Sequence, residues 1–266
     1  MIANKKNWNI KDSHSIISFE TSGGGNWKVW DRYITIGGKK AFHIGNVCGT
    51  CEFFFERLGG ANGANMGISP KEISHTLEKG LTKLDNDFLS KVALILPNGE
   101  YDVSLQEVNP RFVELGTKQD YFSNEQVQVW GMDKFWGLPH SPKIKYYRGV
   151  TEERTDTSKL FEFIVPTFPV NWLDEETIDM YKALITDEQK PTALCLSVLD
   201  VKEPGDYEDE TEYPRHWCLT HYIIDGHHKM YAASLLNKPI TILSFLAKKE
   251  CIATEEEIST LFKSLN

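Results

Sequence analysis

An α+β fold is what the sequence predicts, with a mixed region over residues 1–150 followed by an α/β unit over residues 151–266. Three observations lead there. Short runs rich in Val, Ile, Phe and Tyr mark strands in both halves. After residue 150 such runs alternate with amphipathic segments, the order that builds strands and helices into one layered unit. A chain of 266 residues that is 41% hydrophobic and 12% aromatic can bury a large core.

Along the first half, the runs at 27–36 and 41–44 read as strands, and the small-residue stretches at 22–25 and 59–65 read as loops. A helical pattern over 52–58 carries Phe53, Phe54, Phe55 and Leu58 as core. Ser69-Pro70-Lys71-Glu72 opens a helix, with serine as cap and proline in the first turn, and the pattern runs to about Leu84. Residues 91–96 and 101–105 make a hairpin around Pro97-Asn98-Gly99, and 125–130 is a further strand. Trp130 and Trp136 are packing residues. The punctuation between Gly137 and Gly149, with Leu138-Pro139-His140-Ser141-Pro142, reads as a connector and places a boundary near residue 150.

In the second half, 161–165 is extended, and a helix over 174–184 carries Glu175 and Glu176 in its first turn, where the dipole favours acids. Residues 192–199 form a buried strand. Residues 222–224 form another, which meets the turn Asp225-Gly226 and a helix over 229–236. A turn at Asn237-Lys238-Pro239 leads to a strand at 240–242, and Thr254 caps the last helix through Glu257.

The stretch from His221 to Ala233 carries the chemistry. A glycine between strand and helix lets backbone approach a ligand, and a helix start offers unpaired N–H groups and the positive end of its dipole. His227, His228 and Lys229 add donors and positive charge, so Gly226, His227, His228 and Lys229 are the expected phosphate-binding residues. The strand, Asp225-Gly226-His227-His228-Lys229 and the small-residue helix resemble the signature of the ParB and sulfiredoxin-like superfamily, over roughly residues 160–250. The resemblance implies a ParB/sulfiredoxin-like C-terminal domain, nearest to the small-molecule kinase branch, that grips a phosphorylated small molecule or nucleotide. Lys229 stands where arginine is commoner in that family, which keeps the charge and loses the planar fork. His227 stands where sulfiredoxins carry their cysteine, which argues against sulfiredoxin chemistry. For phosphotransfer the candidate catalytic residues are Asp225, His227, Glu175 and Glu176, with magnesium entering through the acids if the ligand is a nucleotide. A noncatalytic nucleotide-sensing protein would use the same turn.

A second constellation is Cys48-Gly49-Thr50-Cys51, with His43 shortly before it. Two thiols at this spacing can close on zinc, form a redox pair or simply be buried in a turn. Zinc would need further ligands, from His43 or from His216, Cys218 and His221. His216 and His221 stand at odd spacing on a strand and so face opposite ways.

The charge balance weighs against nucleic acid. Acids outnumber bases 38 to 29, for a net charge of -9, and the run from Glu203 to Glu212 is acidic. DNA is therefore an unfavoured partner. The start of the chain is polar and no apolar run approaches membrane-spanning length. Five irregularly spaced cysteines suit a reducing compartment. Together these lead to the expectation of a cytoplasmic protein of bacterial type, without membrane contact.

Overall fold

The computed structural model describes residues 2–66, 69–132, 141–155, 157–204 and 212–264. Trp136, Leu138-Pro139-His140 and most of the acidic run between Glu203 and Glu212 lie outside them. In chain order the strands are β1 (Ile2–Ile10), β2 (Ile17–Gly24), β3 (Trp27–Ile36), β4 (Lys39–Asn46), β5 (Glu56–Arg57), β6 (Gly99–Val108), β7 (Arg111–Phe112), β8 (Tyr147–Thr155), β9 (Ser158–Val165), β10 (Thr192–Lys202), β11 (Arg215–Asp225) and β12 (Ile240–Ala247). The helices are α1 (Lys71–Lys79), α2 (Asn86–Ala93), α3 (Glu125–Trp130), α4 (Glu175–Thr186), α5 (His227–Leu236) and α6 (Glu255–Ser264). The fold is α+β.

Among the described residues, eight strands form one mixed sheet in the order β1-β6-β12-β10-β11-β9-β8-β7, and β2-β3-β4-β5 form a second. The parallel neighbours in the large sheet are β10 with β12 and β11 with β9. Its central strand, β10, reads Thr-Ala-Leu-Cys-Leu-Ser-Val-Leu-Asp-Val-Lys and is buried throughout. Such a run is expected where both faces of a strand are covered. One face, with Leu194, Leu196, Val198 and Tyr222, packs against the small sheet, where Phe42 meets Tyr222 at 5.1 Å between ring centroids. The opposite face, with Ala193, Cys195 and Ile223, is covered by Ile178, Tyr181 and Ile185 of α4 and by Met230, Ala232 and Ala233 of α5. Farther along that face α6 seats Ile258, Leu261 and Phe262 on Leu199, Trp217 and Leu219. The large sheet takes β1, β6 and β7 from before residue 150, and β8 runs through residue 150 itself.

Several local expectations are overturned. The helical pattern at 52–58 is extended chain leading into β5. There Phe53 and Phe55 enter one aromatic cluster, each against Phe163 and Phe122, and this packing outweighs the local pattern. Residues 125–130 form α3, and 91–96 holds the end of α2 and the turn after it. Leu89, Val92 and Leu96 share a buried face at helical spacing, and Asp85 caps the helix by accepting from Phe88 N–H. β6 therefore follows a helix, and its sheet partners are β1 and β12 in place of a hairpin. Ser69 does not cap α1: the cap position is Pro70, and the helix ends at Lys79 because Gly80 adopts φ +85° against the carbonyl of Lys190. Among the described residues no helix is long and apolar enough to cross a membrane.

Candidate functional site

The parallel pair β9 and β11 ends side by side at Val165 and Asp225. Crevices beyond the carboxyl ends of such strands are where helix-covered sheets place ligands. Here the crevice is a cavity of about 560 Å³, walled by the turn Asp225–Lys229, the loop with Thr167, Phe168 and Trp172, Thr177 and Tyr181 of α4, and Ser74 and Glu78 of α1. Its size falls in the range of small-molecule sites.

The turn exists because residue 226 is glycine. Gly226 adopts φ +106°, and a Cβ there would lie 2.7 Å from Cβ of Ala193. The chain can therefore leave β11 tightly against β10 and enter α5 at once. The first intrahelical bond of α5 runs from Met230 N–H to Gly226 O at 2.8 Å, and the residue at the cap position, Gly226, has no side chain to cap the helix. The N–H groups of His227, His228 and Lys229 accordingly point out of the helix end, where the dipole favours an anion.

The side chains of this turn hold the walls. His227 Nε2 accepts from Thr167 N–H at 3.0 Å and lies 2.8 Å from Thr167 Oγ1, with its ring stacked on Phe168 at 4.0 Å. A backbone N–H only donates, so the proton of this imidazole sits on Nδ1 and the ring is neutral. Burial pushes its pKa down to about 3, against a smaller opposing pull from Asp225. His228 Nε2 accepts from Asp174 N–H at 3.0 Å, and its pKa is likewise lowered, first by burial. The positive charge expected from two histidines is therefore missing.

Lys229 is also committed. Its Nζ donates to Thr192 O at 3.1 Å and to Asp225 Oδ1 at 3.2 Å, while Ser74 Oγ lies 2.6 Å from Asp225 Oδ2. Of the expected catalytic acids, Asp225 lines the cavity, whereas Glu175 and Glu176 are exposed in the first turn of α4 and stand outside the lining. On that wall α4 presents Thr177, which bonds to the cap Asp174. The sequence reading missed Ser74, Glu78, Thr167, Phe168, Trp172 and Tyr181. A usable signal was the aromatic pair in the loop before α4: Phe168 and Trp172 stack 6.3 Å apart at 20°, and Trp172 is 44% exposed. Ser69 Oγ, at the edge of the same cavity, is buried with no hydrogen-bond partner among the described residues.

At the second constellation Cys48 and Cys51 are joined in a disulfide, one of the alternatives open at that motif. His43 stands apart from the sulfurs in its bonding: Nε2 meets Asp31 Oδ1 at 3.1 Å and the ring stacks on Tyr33. His216 and His221 do face opposite ways. His216 Nδ1 meets Tyr121 OH at 2.8 Å, and burial pushes its pKa down to about 4. His221 bridges Ser197 Oγ at 2.7 Å and Glu162 Oε1 at 3.2 Å, with Ser244 Oγ 2.9 Å from Ser197 Oγ. That serine–histidine–carboxylate line is wholly buried and ties β9, β10, β11 and β12 together, so it serves the sheet. Among the described residues, no three of His, Cys, Asp and Glu stand together in a way that could hold a metal ion.

The chain matched no protein-family model, no curated protein and no solved structure when compared with each.

Proposed function

We propose that the cavity at the β11–α5 turn binds a nucleotide or another phosphorylated small molecule, in keeping with the ParB/sulfiredoxin-like resemblance of this turn. The observation that carries the reading is the opening of the His227, His228 and Lys229 amides into a walled cavity through Gly226. A phosphate there meets N–H donors and the helix dipole, an arrangement that needs no charged side chain. The histidines act indirectly, as neutral struts that hold Thr167 and Asp174 in place. The exposed face of Trp172 offers a platform for a base or sugar ring. Arg57 braces that platform, with Nε donating to Thr167 O and its guanidinium 5.7 Å from the Trp172 ring.

Magnesium accompanying a nucleotide has two carboxylates to meet on these walls, Glu78 and Asp225. Of the two, Glu78 is outside the Asp225–Lys229–Ser74 network and is the freer oxygen donor for metal or for a substrate hydroxyl. Binding comes first in this reading, and turnover separates a phosphotransferase from a nucleotide sensor.

The test is a thermal-shift series with ATP, ADP, a sugar phosphate and inorganic phosphate, each with and without magnesium. A bound ligand raises the midpoint by mass action. Thr177→Glu places a new negative charge on the cavity wall in the first turn of α4, where the helix dipole favours acids. The reading expects a midpoint rise with at least one phosphate compound that T177E abolishes. No rise with any of them contradicts it.

A further inference from the structure

The disulfide Cys48–Cys51 sits in a turn built around it. Lys202 Nζ donates to Cys48 O at 2.7 Å, Glu203 N–H to Gly49 O at 2.9 Å and Trp130 Nε1 to Thr50 O at 2.9 Å. Cys48 N–H is held by Asn46 Oδ1 at 3.0 Å. The shape of the turn therefore does not depend on the S–S bond. A bond between residues only three apart also removes little freedom from the unfolded chain, so a cross-link here adds less to stability than a long-range one would.

The two sulfurs are not equivalent. Cys48 Sγ receives the N–H of Cys51 at 3.1 Å and lies 3.5 Å from the hydroxyl of Thr50. Both groups are placed to stabilise a thiolate at Cys48 once the bond is opened. Lys202, fully buried and with its pKa lowered chiefly by that burial, holds the carbonyl of the same residue. Thr50 is exposed and both cysteines are half-buried, so an external thiol can reach the bond. Cys195 and Cys218, by contrast, are buried with thiols pushed far up by burial, and Cys251 is pushed up to about 12 for the same reason.

We propose that Cys48 and Cys51 form a dithiol–disulfide exchange site whose reaction partner is an external thiol or disulfide, with Cys48 as the attacking sulfur. In the oxidising direction the Cys48 thiolate attacks one sulfur of the external disulfide. A Cys48–S bond forms, and the first external thiolate leaves and takes a proton from water. Cys51 then gives up its proton, and its thiolate attacks Cys48 Sγ. The Cys48–Cys51 bond forms and the second external thiolate leaves and is protonated. Two electrons and two protons pass from the protein dithiol to the external disulfide, which becomes two thiols. The reverse sequence oxidises external thiols.

The probe is glutathione. Full-length protein is equilibrated in buffers of varied reduced-to-oxidised glutathione ratio and quenched with an alkylating agent, and each cysteine is read by mass spectrometry. The expected result is a folded protein whose Cys48–Cys51 pair passes between disulfide and dithiol across that series. Cys51→Ser, which leaves Cys48 alone, should form a mixed disulfide with oxidised glutathione roughly tenfold faster at pH 7 than Cys48→Ser does. If either variant fails to fold, limited alkylation of the reduced wild-type protein reads the same order, with Cys48 modified first. A bond that survives excess reduced glutathione in the folded protein overturns the proposal, as does modification of Cys51 first or at an equal rate. Uptake of one equivalent of zinc by the reduced pair would overturn it too, since the thiolates would then be metal ligands.

Discussion

Lys229 Nζ lies 3.2 Å from Asp225 Oδ1, with side chains only 3% and 13% exposed, so the one lysine and the one carboxylate of the turn neutralise each other. The charge available to a phosphate at this site is therefore that of the helix end. The ion pair also sets the geometry, because it ties the last residue of β11 to the first turn of α5 and, through Thr192 O, to β10.

Removing the lysine strands a carboxylate. Lys229→Met is expected to cost about 3–5 kcal/mol of stability, the usual consequence of leaving one member of a buried pair. Asp225→Asn together with Lys229→Met restores much of the loss, since the asparagine still accepts from Ser74. Urea denaturation of both variants checks this, and equal losses in the single and double variants would refute the pairing.

The neutral histidines predict a sensitivity to acid. His227 is held at a pKa of about 3 and His216 at about 4, both chiefly by burial. In the unfolded chain each titrates near pH 6.5. Below that point the unfolded state binds protons that the folded state refuses, so stability is full above about pH 6.5 and falls as the pH drops towards the folded pKa values. Each group contributes a slope of about 1.4 kcal/mol per pH unit inside its window. His227→Gln keeps an acceptor for Thr167 N–H and should make the stability–pH slope between pH 6 and 4 shallower by about 1.4 kcal/mol per unit. An unchanged slope would mean that His227 is charged in the native state.

Gly226→Ala tests the turn itself. At φ +106°, with Ala193 Cβ 2.7 Å from the new methyl position, the substitution is expected to cost about 3 kcal/mol. It should weaken ligand binding along with stability, because the backbone must move away from the cavity. Chemical denaturation and ligand titration of the same preparation measure both effects.

The sequence made the central elements legible and left their surroundings obscure. β3 falls where residues 27–36 were expected to form a strand, and α4, α5, β10 and β12 fall on their expected runs. Each has a local cause: the acid-rich start after Asp174, the Gly226 turn and the continuous apolar run of β10. Residues 52–58 were misread because a short aromatic run fits both periods and long-range packing chose between them, whereas 125–130 alternates like a strand but buries Gln126 and Val129 at helical spacing in α3. At the site, Asp225 and Gly226 were legible from the turn chemistry. The roles of His227 and His228 were not, since their partners Thr167 and Asp174 are far off in sequence, and Lys229 spans both the local Asp225 and the distant Thr192. The same holds for Ser74 and Glu78, which reach the cavity only because α1 packs beside β10.

The most direct test of the account is to follow the backbone amide signals of His227, His228 and Lys229 by NMR in labelled protein titrated with ATP. The account expects these three signals to move together, to saturate, and to shift to the positions seen with inorganic phosphate alone when that ion in excess displaces the nucleotide. Saturable ATP binding that leaves the three amides unmoved, or the absence of any ATP-induced change, would contradict a phosphate site at the start of α5.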